Sequence, residues 1–332
     1  MLSSDSGRIT LRDCLRGSEA LQTLLRDFDA GRMAPATLFT GESGIGKKTA
    51  AHLLAKGLLC TGEGDKPCGS CRNCRRYDAR THPNALFPAP LPREKAIKVE
   101  ALRQTIDALS RHALETGKRV IVIENAERMT PQAQNCLLKT LEESPEDTFF
   151  FLTADVESAI LPTVRSRCRC VRMQPWTEER VLRALESKGI ERSRALALAR
   201  YCEGSLGRAL SMQEDESYWE ARELVRRSFL AVRSPGDVCR CAQLIKDQKD
   251  SGDRLLTILE QEIRACLHDS LTGAPPDREL PPHFQSATPR SLIIILESII
   301  TARKQKASNV VWAALSEGLM QTISEEASTW QQ

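Results

Sequence analysis

The sequence predicts an α/β domain built on a parallel sheet with helices on both faces, followed by regions that are entirely helical. Over the first half of the chain, short apolar segments typical of buried strands alternate with segments of helical spacing. A glycine-rich segment joins the first of these strands to a helix, and no convincing strand occurs beyond Pro175. Alternation of this kind favours a parallel sheet with right-handed crossovers.

Length, composition and charge limit the possible functions. The chain has 332 residues, enough for two or three domains, and its 41% hydrophobic and 27% charged residues are typical of a folded protein. A formal net charge of +3 is too small to coat nucleic acid by bulk electrostatics. The longest apolar stretch, Ser291 to Ile300, has about half of the roughly 20 residues that a membrane span needs. No apolar export signal opens the chain, so we expect a cytoplasmic protein.

The elements of the first half follow from their local patterns. A continuous apolar run such as Val120 to Ile123 is typical of a strand that is covered on both faces. Thr130 followed by Pro131 is a typical start of a helix, because threonine caps the first turn and proline fits its first position. The predicted strands are 36–40, 120–123 and 149–153, and the predicted helices begin at Lys47 and Thr130.

The rest of the chain is predicted to be helical. Thr177 is a suitable N-cap, and Gly204 supplies a left-handed stop for a helix over Ser193 to Cys202. The helical pattern continues from about Glu214 to the end of the chain. We therefore expect three domains, 1–174, 175–212 and 213–332.

The segment from Gly41 to Lys47 fits the pattern G-x-x-x-x-G-K of a phosphate-binding loop. It lies between a predicted strand and a predicted helix, as the mechanism requires. In such a loop the backbone N–H groups at the helix N-terminus hold phosphate, and the lysine reaches the β and γ oxygens of a nucleotide. The candidate nucleotide-binding residues here are Gly41, Gly44, Gly46 and Lys47.

The residues that should hold Mg²⁺ depart from this pattern. Lys48 stands where a Ser or Thr hydroxyl would bind the metal, and the side chain of Thr49 is turned by about 100° along the helix. Glu124 and Asn125 stand where an ATPase would carry an Asp for Mg²⁺ and a Glu that activates water. These departures predict impaired hydrolysis. They leave two alternatives open: that Glu124 only solvates a strand end, and that Thr49 and Glu124 together still hold Mg²⁺.

Four of the 12 cysteines form a cluster with the spacing C-x7-C-x2-C-x2-C, namely Cys60, Cys68, Cys71 and Cys74. Four thiolates can surround Zn²⁺ tetrahedrally and leave no position for water, which predicts a structural zinc site. An iron–sulfur cluster, a redox dithiol and inert thiols are the alternatives. Nearby arginines predict a solvated basic face rather than a nucleic-acid site: Arg72, Arg75, Arg76 and Arg80.

Together these motifs resemble the bacterial clamp-loader AAA+ proteins of the DNA polymerase III holoenzyme. Besides the phosphate loop and the cysteines, the resemblance is carried by 135–145 (NCLLKTLEESP), 150–168 (FFLTADVESAILPTVRSRC) and 204–210 (GSLGRAL). It implies an AAA+ P-loop domain with a zinc module at 60–74. It also implies an all-α lid over 175–212 and an all-α collar over 213–332 through which the subunits assemble.

The resemblance also implies roles for three further residues. Residues 166–168 (SRC) match a family motif whose arginine reaches the γ-phosphate in a neighbouring motor subunit, so Arg167 is the candidate arginine finger in trans. Thr153 and Arg208 stand at the positions of the family's two nucleotide sensors. From the residues alone, Arg167 can equally belong to a solvated face, Thr153 can be a capping hydroxyl, and Arg208 can be a surface charge.

The implied function is that of a loader subunit that does not hydrolyse ATP, because the family's motor subunits, gamma and tau, keep an intact loop and an Asp-Glu pair. Its implied partners are the gamma or tau and delta subunits in a hetero-pentamer, which brings it to the sliding clamp and primed DNA. Its implied cofactor is structural Zn²⁺, with ATP and Mg²⁺ binding impaired. Two alternatives stay open: an active gamma/tau-like clamp-loader ATPase, and a stand-alone zinc-dependent nucleic-acid binder.

Overall fold

The chain folds into two compact units, Met1–Leu210 and Ser211–Gln332. The computed structural model describes residues 10–15, 19–90, 94–111, 117–143, 145, 147–273, 280–308 and 310–330. Within these residues, every strand belongs to the first unit, and the second unit is built from helices.

A parallel sheet of five strands forms the centre of the first unit. The strands are β1 (Ala36–Thr40), β2 (Ala85–Leu86), β3 (Arg119–Ile123), β4 (Thr148–Ala154) and β5 (Arg169–Arg172). Their order across the sheet is β2-β3-β4-β1-β5. Leu38 of β1 lies beside Leu152 of β4 on one side and Cys170 of β5 on the other. The three strands predicted from the sequence are all present.

Helices cover both faces of this sheet, because successive side chains of a strand point in opposite directions. Phe39 packs with Leu54 of the helix that follows β1 in one buried cluster. Leu38 and Leu152 pack with Leu137 in another cluster on the opposite face. The predicted fold class, a parallel sheet with helices on both faces, is confirmed.

The helices of the first unit begin and end near the predicted residues. Thr130 caps the predicted helix by accepting a hydrogen bond of 3.2 Å from the backbone N–H of Ala133. Gly204 has φ +75°, and a Cβ there would lie 2.5 Å from the carbonyl oxygen of Trp176, so this stop requires glycine. The helices are α1 (Leu11–Cys14), α2 (Glu19–Asp29), α3 (Lys47–Leu59), α4 (Arg72–Asp78), α5 (Val99–Arg111), α6 (Pro131–Glu142), α7 (Pro162–Arg165), α8 (Glu178–Ser187), α9 (Arg192–Tyr201) and α10 (Leu206–Glu214).

Two strands were not predicted from the sequence. β2 has two residues, too few to show a period. In β5 only Val171 is buried, because this strand lies at the edge of the sheet and its charged side chains stay accessible. Arg169 at its start pairs with Asp27 of α2. Edge strands commonly carry charged residues, which hides them from a search for apolar runs.

The second unit packs its helices around apolar side chains. The indole N–H of Trp312 donates a hydrogen bond of 2.7 Å to the carbonyl oxygen of Ile245. None of the described helices is both long and apolar enough to cross a membrane. After the end of α10, the helices are α11 (Glu216–Arg227), α12 (Pro235–Ile245), α13 (Gly252–Thr272), α14 (Pro289–Ala307) and α15 (Trp312–Thr329).

A buried ion cluster joins α11 to α13 in this unit. The carboxylate of Glu262 lies 2.7 Å from Nε of Arg222 and 3.3 Å from Nη2 of Arg226. Glu262 is 1% exposed, so water does not screen these charges. Removing one partner of a buried pair leaves the other charge uncompensated, which costs much more than losing an exposed pair.

We expect Glu262→Gln to lower the free energy of unfolding of this unit by about 3 kcal/mol or more, because the guanidinium groups of Arg222 and Arg226 lose the buried negative charge of Glu262. Urea unfolding followed by tryptophan fluorescence measures the change, since three of the four tryptophans lie in this unit. The control is Glu223→Gln, which breaks an exposed pair with Arg227 and should cost less than about 1 kcal/mol. Equal losses in the two variants would contradict the prediction.

Candidate functional site

The predicted phosphate loop connects β1 to α3 in the first unit. Gly41, Gly44 and Gly46 all have positive φ values, of 135°, 77° and 99°. A Cβ on Gly44 would come within 2.2 Å of Oγ of Ser205, so both the backbone conformation and the space require glycine. The loop therefore has the backbone that the motif predicts.

The ammonium group of Lys47 is held by the protein itself. Its side chain is 4% exposed, and Nζ donates to the carbonyl oxygens of Gly41, at 2.7 Å, and Glu42. Nζ also lies 2.8 Å from a carboxylate oxygen of Asp155, just beyond the end of β4. The carboxylate of Asp155 thus pairs with the ammonium group that would reach the phosphates of a nucleotide.

The start of α10 lies directly against the phosphate loop. The backbone N–H of Gly207 donates a hydrogen bond of 3.0 Å to the carbonyl oxygen of Gly44. The hydroxyl of Ser205 donates to the carbonyl oxygen of Ser43 at 3.1 Å. These two hydrogen bonds join the predicted lid directly to the phosphate loop.

A cavity of about 400 Å³ opens beside the loop, a size within the usual range for small-molecule sites. Among the predicted site residues, Gly44, Gly46, Lys47 and Thr49 line it, whereas Gly41, Glu124, Thr153, Arg167 and Arg208 are not among its described lining residues. The lining residues are Ser43, Gly44, Ile45, Gly46, Lys47, Lys48, Thr49, Asn125, Arg128, Asp155, Trp176, Leu206, Gly207 and Leu210.

Glu124, the residue predicted at the Mg²⁺ position, is surrounded by basic side chains. Nζ of Lys48 lies 3.2 Å from one of its carboxylate oxygens. The other oxygen lies 2.9 Å from Nε2 of His52 and 3.5 Å from Nη2 of Arg80. The hydrogen bond from His52 and that from Lys48 outweigh the effect of burial and lower the pKa of Glu124 to about 2. This carboxylate is ionised and is already paired with basic side chains of the protein.

His52 and Tyr77 extend this cluster toward the cysteines. Nδ1 of His52 lies 2.7 Å from the hydroxyl of Tyr77 on α4. Burial raises the pKa of Tyr77, so its hydroxyl keeps its proton. Because Nε2 of His52 must donate to the carboxylate of Glu124, Nδ1 of a neutral ring accepts from Tyr77. Lys48 and His52 are four residues apart on α3, and this spacing is the signal in the sequence that could have paired them.

Thr153 and Asn125 hold the backbone at the ends of β3 and β4. The hydroxyl of Thr153 is buried and accepts a hydrogen bond of 3.1 Å from the backbone N–H of Asn125. Asn125 has φ 51°, a left-handed conformation that asparagine tolerates better than most residues. In this arrangement the hydroxyl of Thr153 fixes the backbone at the end of β3.

Arg208, the other predicted sensor, lies on α10. Nη1 pairs with a carboxylate oxygen of Glu203 at 2.6 Å, and its backbone N–H donates to Oγ of Ser205 at 3.1 Å. The side chain is 43% exposed. Its guanidinium is engaged with a neighbour on the surface.

Arg167 lies just after α7, where its guanidinium is partly exposed. Nε donates to a carboxylate oxygen of Glu142 at 2.5 Å, and Nη2 pairs with the same oxygen. Nη1 donates to the carbonyl oxygen of Thr163 at 2.9 Å. The pattern of alternating arginines gave no indication that Glu142 would be the partner.

The four cysteines predicted as metal ligands lie together. Their sulfur atoms are all within 4.8 Å of one another. The backbone N–H groups of Cys68, Cys71 and Cys74 each donate to the sulfur of the preceding cysteine of the cluster at 3.4 Å. Such bonds stabilise thiolates, so the donor set is that of a closed tetrahedral site. The cluster can hold a metal ion such as zinc.

Two thiols of the cluster differ in their acidity. Burial opposes ionisation of Cys71, but the N–H groups of Cys74 and Thr61 direct their dipoles at its sulfur, and the pKa of Cys71 falls to about 5. Burial raises the pKa of Cys74, and the neighbouring sulfur atoms add to this effect. A bound metal cation removes the proton from a coordinating thiol whatever its pKa in the free protein.

We expect the carboxyl group of Glu124 to titrate near pH 2, more than two units below an ordinary glutamate, in ¹³C NMR spectra of the side-chain carboxyl groups. Because its pKa is lowered by folding, its ion pairs stabilise the protein above about pH 4.5 and are lost as the pH falls toward 2. Lys48→Thr should raise this pKa without restoring the ordinary value, since the hydrogen bond from His52 remains. The control, Lys48→Arg, keeps the charge; an unchanged pKa in Lys48→Thr would contradict the prediction.

Comparison with known proteins finds similarity to subunits of DNA polymerase III. The family model described as "DNA polymerase III, delta subunit" matches residues 17–177. The chain is 34% identical over 208 residues to DNA polymerase III subunit delta' of Haemophilus influenzae, covering 62% of this chain and 63% of that protein. It is 27% identical over 323 residues to the Bacillus subtilis delta', covering 92% and 95%. DNA polymerase III subunit tau of Escherichia coli is 33% identical over 260 residues, covering 76% and 40%.

The matched segment thus spans less than two thirds of the Haemophilus influenzae relative and nearly all of the Bacillus subtilis one. The family model lies wholly within the unit that carries the phosphate loop, the cysteine cluster and Arg167. The chain is therefore similar to DNA polymerase III delta' subunits, and a tau subunit is also among the proteins that it resembles.

Proposed function

We propose that this chain is a subunit of the DNA polymerase III clamp loader that does not hydrolyse ATP itself and supplies Arg167 in trans to a neighbouring ATPase subunit. The observation that carries the first part is the engagement of Glu124 by Lys48, His52 and Arg80. The loader as a whole would place the sliding clamp on primed DNA.

The charges around Glu124 oppose the binding of Mg²⁺. The metal needs oxygen ligands with space around them for water and phosphate. Here the carboxylate of Glu124 is paired with three basic side chains, and Lys48 puts a positive charge where a hydroxyl should be. Asn125 cannot take a proton from water, so neither metal nor general base is provided. A nucleotide bound in the cavity would stay intact.

Arg167 is not among the described lining residues of this chain's own cavity, which supports a role at a site in another subunit. Its partly exposed guanidinium suits a role at a subunit interface. A guanidinium that meets the γ-phosphate stabilises the negative charge that develops as the phosphoryl group is transferred. Its fixed charge and planar donors make arginine suited to this task.

The proposed assembly uses the three regions expected from the sequence. Region 1–174 would carry the loop and Arg167, 175–212 would form the lid, and 213–332 would form the collar that joins the subunits. The partners would be the gamma or tau and delta subunits of a hetero-pentamer. The similarity of the chain to a tau subunit supports this assignment, since related subunits assemble through similar surfaces.

The metal that we propose for the cysteine cluster is Zn²⁺, held by Cys60, Cys68, Cys71 and Cys74. When bound, the ion would supply structural cross-links and no reactive position, because all four of its ligands are sulfur. Cys60 and Cys74 are buried, whereas Cys68 and Cys71 are partly exposed. The ion would therefore close a small module at the surface, between α3 and α4.

We expect the purified chain to contain about one zinc ion and Cys71→Ser to lose it, because three thiolates remain where four are needed. Metal analysis after dialysis against a weak chelator measures this. Acidification should also release the metal, since protons compete for the sulfur ligands. The control is Cys239→Ser, which removes an exposed cysteine outside the cluster. Equal zinc contents in Cys71→Ser and the unaltered chain would contradict the assignment.

We expect Arg167→Ala to slow ATP hydrolysis at the adjoining site by about 10³-fold or more, because the charge of the leaving phosphoryl group loses its stabiliser. The chain is assembled with gamma or tau and delta subunits in which only the adjoining site has an intact phosphate-loop lysine. Single-turnover hydrolysis is then measured. The control is Arg165→Ala, which removes a nearby arginine that pairs with Glu157.

Two outcomes would overturn the proposal. Unchanged hydrolysis in the Arg167→Ala assembly would show that Arg167 is not an arginine finger. ATP turnover by the isolated chain that disappears in Lys47→Ala would show that this subunit is itself an ATPase, the gamma/tau-like alternative. The two measurements are independent, so either part of the proposal can fail alone.

A further inference from the structure

The contacts of Arg167 leave only part of its guanidinium available. Glu142 accepts from Nε and Nη2, so one edge of the planar group is taken. Thr163 accepts from Nη1 through its carbonyl oxygen, and Oγ of Ser166 lies 3.4 Å from the same nitrogen. A guanidinium has five N–H donors, and these contacts account for four of them, so one N–H of Nη2, at the end of the group, is left for another ligand. The plane and direction of the group are therefore defined before any partner binds.

Glu142 and Arg167 are held by elements that are tied together inside the unit. Glu142 is the last residue of α6, and Arg167 follows α7. The buried side chain of Gln134 on α6 donates to the carbonyl oxygen of Ala159 at 3.0 Å and accepts from the N–H of Leu161 at 2.7 Å. Gln134 therefore fixes α6 to the segment that leads into α7.

We propose that Glu142 is a positioning residue for Arg167, which holds the guanidinium in the orientation in which its free end meets the phosphate of the neighbouring subunit. This inference rests on the trans role of Arg167 proposed above. A free arginine side chain must lose considerable rotational freedom when it binds, and a side chain already held by a carboxylate has lost most of that freedom.

The carboxylate has an opposing effect, since it offsets part of the positive charge that the phosphate would meet. Misplacement of a catalytic group by about 1 Å can cost about 10²-fold in rate, whereas charges exposed to water are strongly screened. Glu142 is 49% exposed, which favours orientation as the larger effect. The two effects predict opposite changes in rate, so experiment separates them.

A second pair in the same region serves as a matched control. Glu157 lies 2.9 Å from Nη2 of Arg165, and the two side chains are 38% and 40% exposed. Breaking this pair changes the charge of the region as Glu142→Gln does but leaves the partner of Arg167 in place. Both variants remove one exposed carboxylate, so both are expected to fold.

The test uses the assembled loader in which only the site next to Arg167 hydrolyses ATP. We expect Glu142→Gln to lower the single-turnover rate at saturating ATP by about 10-fold to 100-fold, with the ATP concentration at half-maximal rate changed less than about twofold. Glu142→Asp, which keeps the carboxylate, should recover part of the rate, and Glu157→Gln should leave it unchanged. A faster or unchanged rate in Glu142→Gln, or an equal loss in Glu157→Gln, would overturn the inference.

Failure of this inference and failure of the trans role give different results. If Arg167→Ala is slow and Glu142→Gln is not, only the positioning role fails; if Arg167→Ala is not slow, the trans role fails. A measurement on the isolated chain tests the inference even when a variant assembles poorly. In spectra of ¹⁵N-labelled arginine, the terminal N–H signals of Arg167 should show hindered rotation that Glu142→Gln removes. Identical signals in both proteins would overturn the inference.

Discussion

The ion pair between Lys48 and Glu124 connects the phosphate loop and α3 to the end of β3. In the sequence these residues are two separate departures from an ATPase, and in the structure each is the partner of the other. A lysine in place of the hydroxyl would repel Mg²⁺, and the glutamate gives that lysine a counter-charge. Changing only Glu124 would remove this counter-charge from Lys48 and leave the lysine beside an incomplete metal site. His52 and Arg80 reinforce the same carboxylate.

Much of the fold could be predicted because its signals are local. The glycines of the loop, the cap at Thr130, the apolar runs of the central strands and the cysteine spacing each specify their structure within a few residues. The contacts that define the site are not local in this sense. Arg80 reaches Glu124 across 44 residues, and Arg167 reaches Glu142 across 25. Only the folded sheet brings such residues together, and their types alone select no particular partner.

The cysteine module also contributes to the site through an aromatic contact. Tyr77 on α4 contacts His52, and His52 contacts Glu124, so the segment that follows the last cysteine supports the cluster at the end of β3. Phe87 packs against both rings, with centroid distances of 5.4 Å to Tyr77 and 5.8 Å to His52. A metal ion in the module would thus help to order Tyr77, which contacts His52 and through it the carboxylate of Glu124.

The direct hydrogen bonds from Ser205 and Gly207 to the phosphate loop fix the start of α10 against that loop. In an ATPase whose lid meets the nucleotide, the angle between lid and sheet reports which nucleotide is bound. Here the protein's own backbone and a serine hydroxyl make the connection. These bonds are made within the chain, so the placement of α10 against the loop does not depend on contacts that a nucleotide would supply.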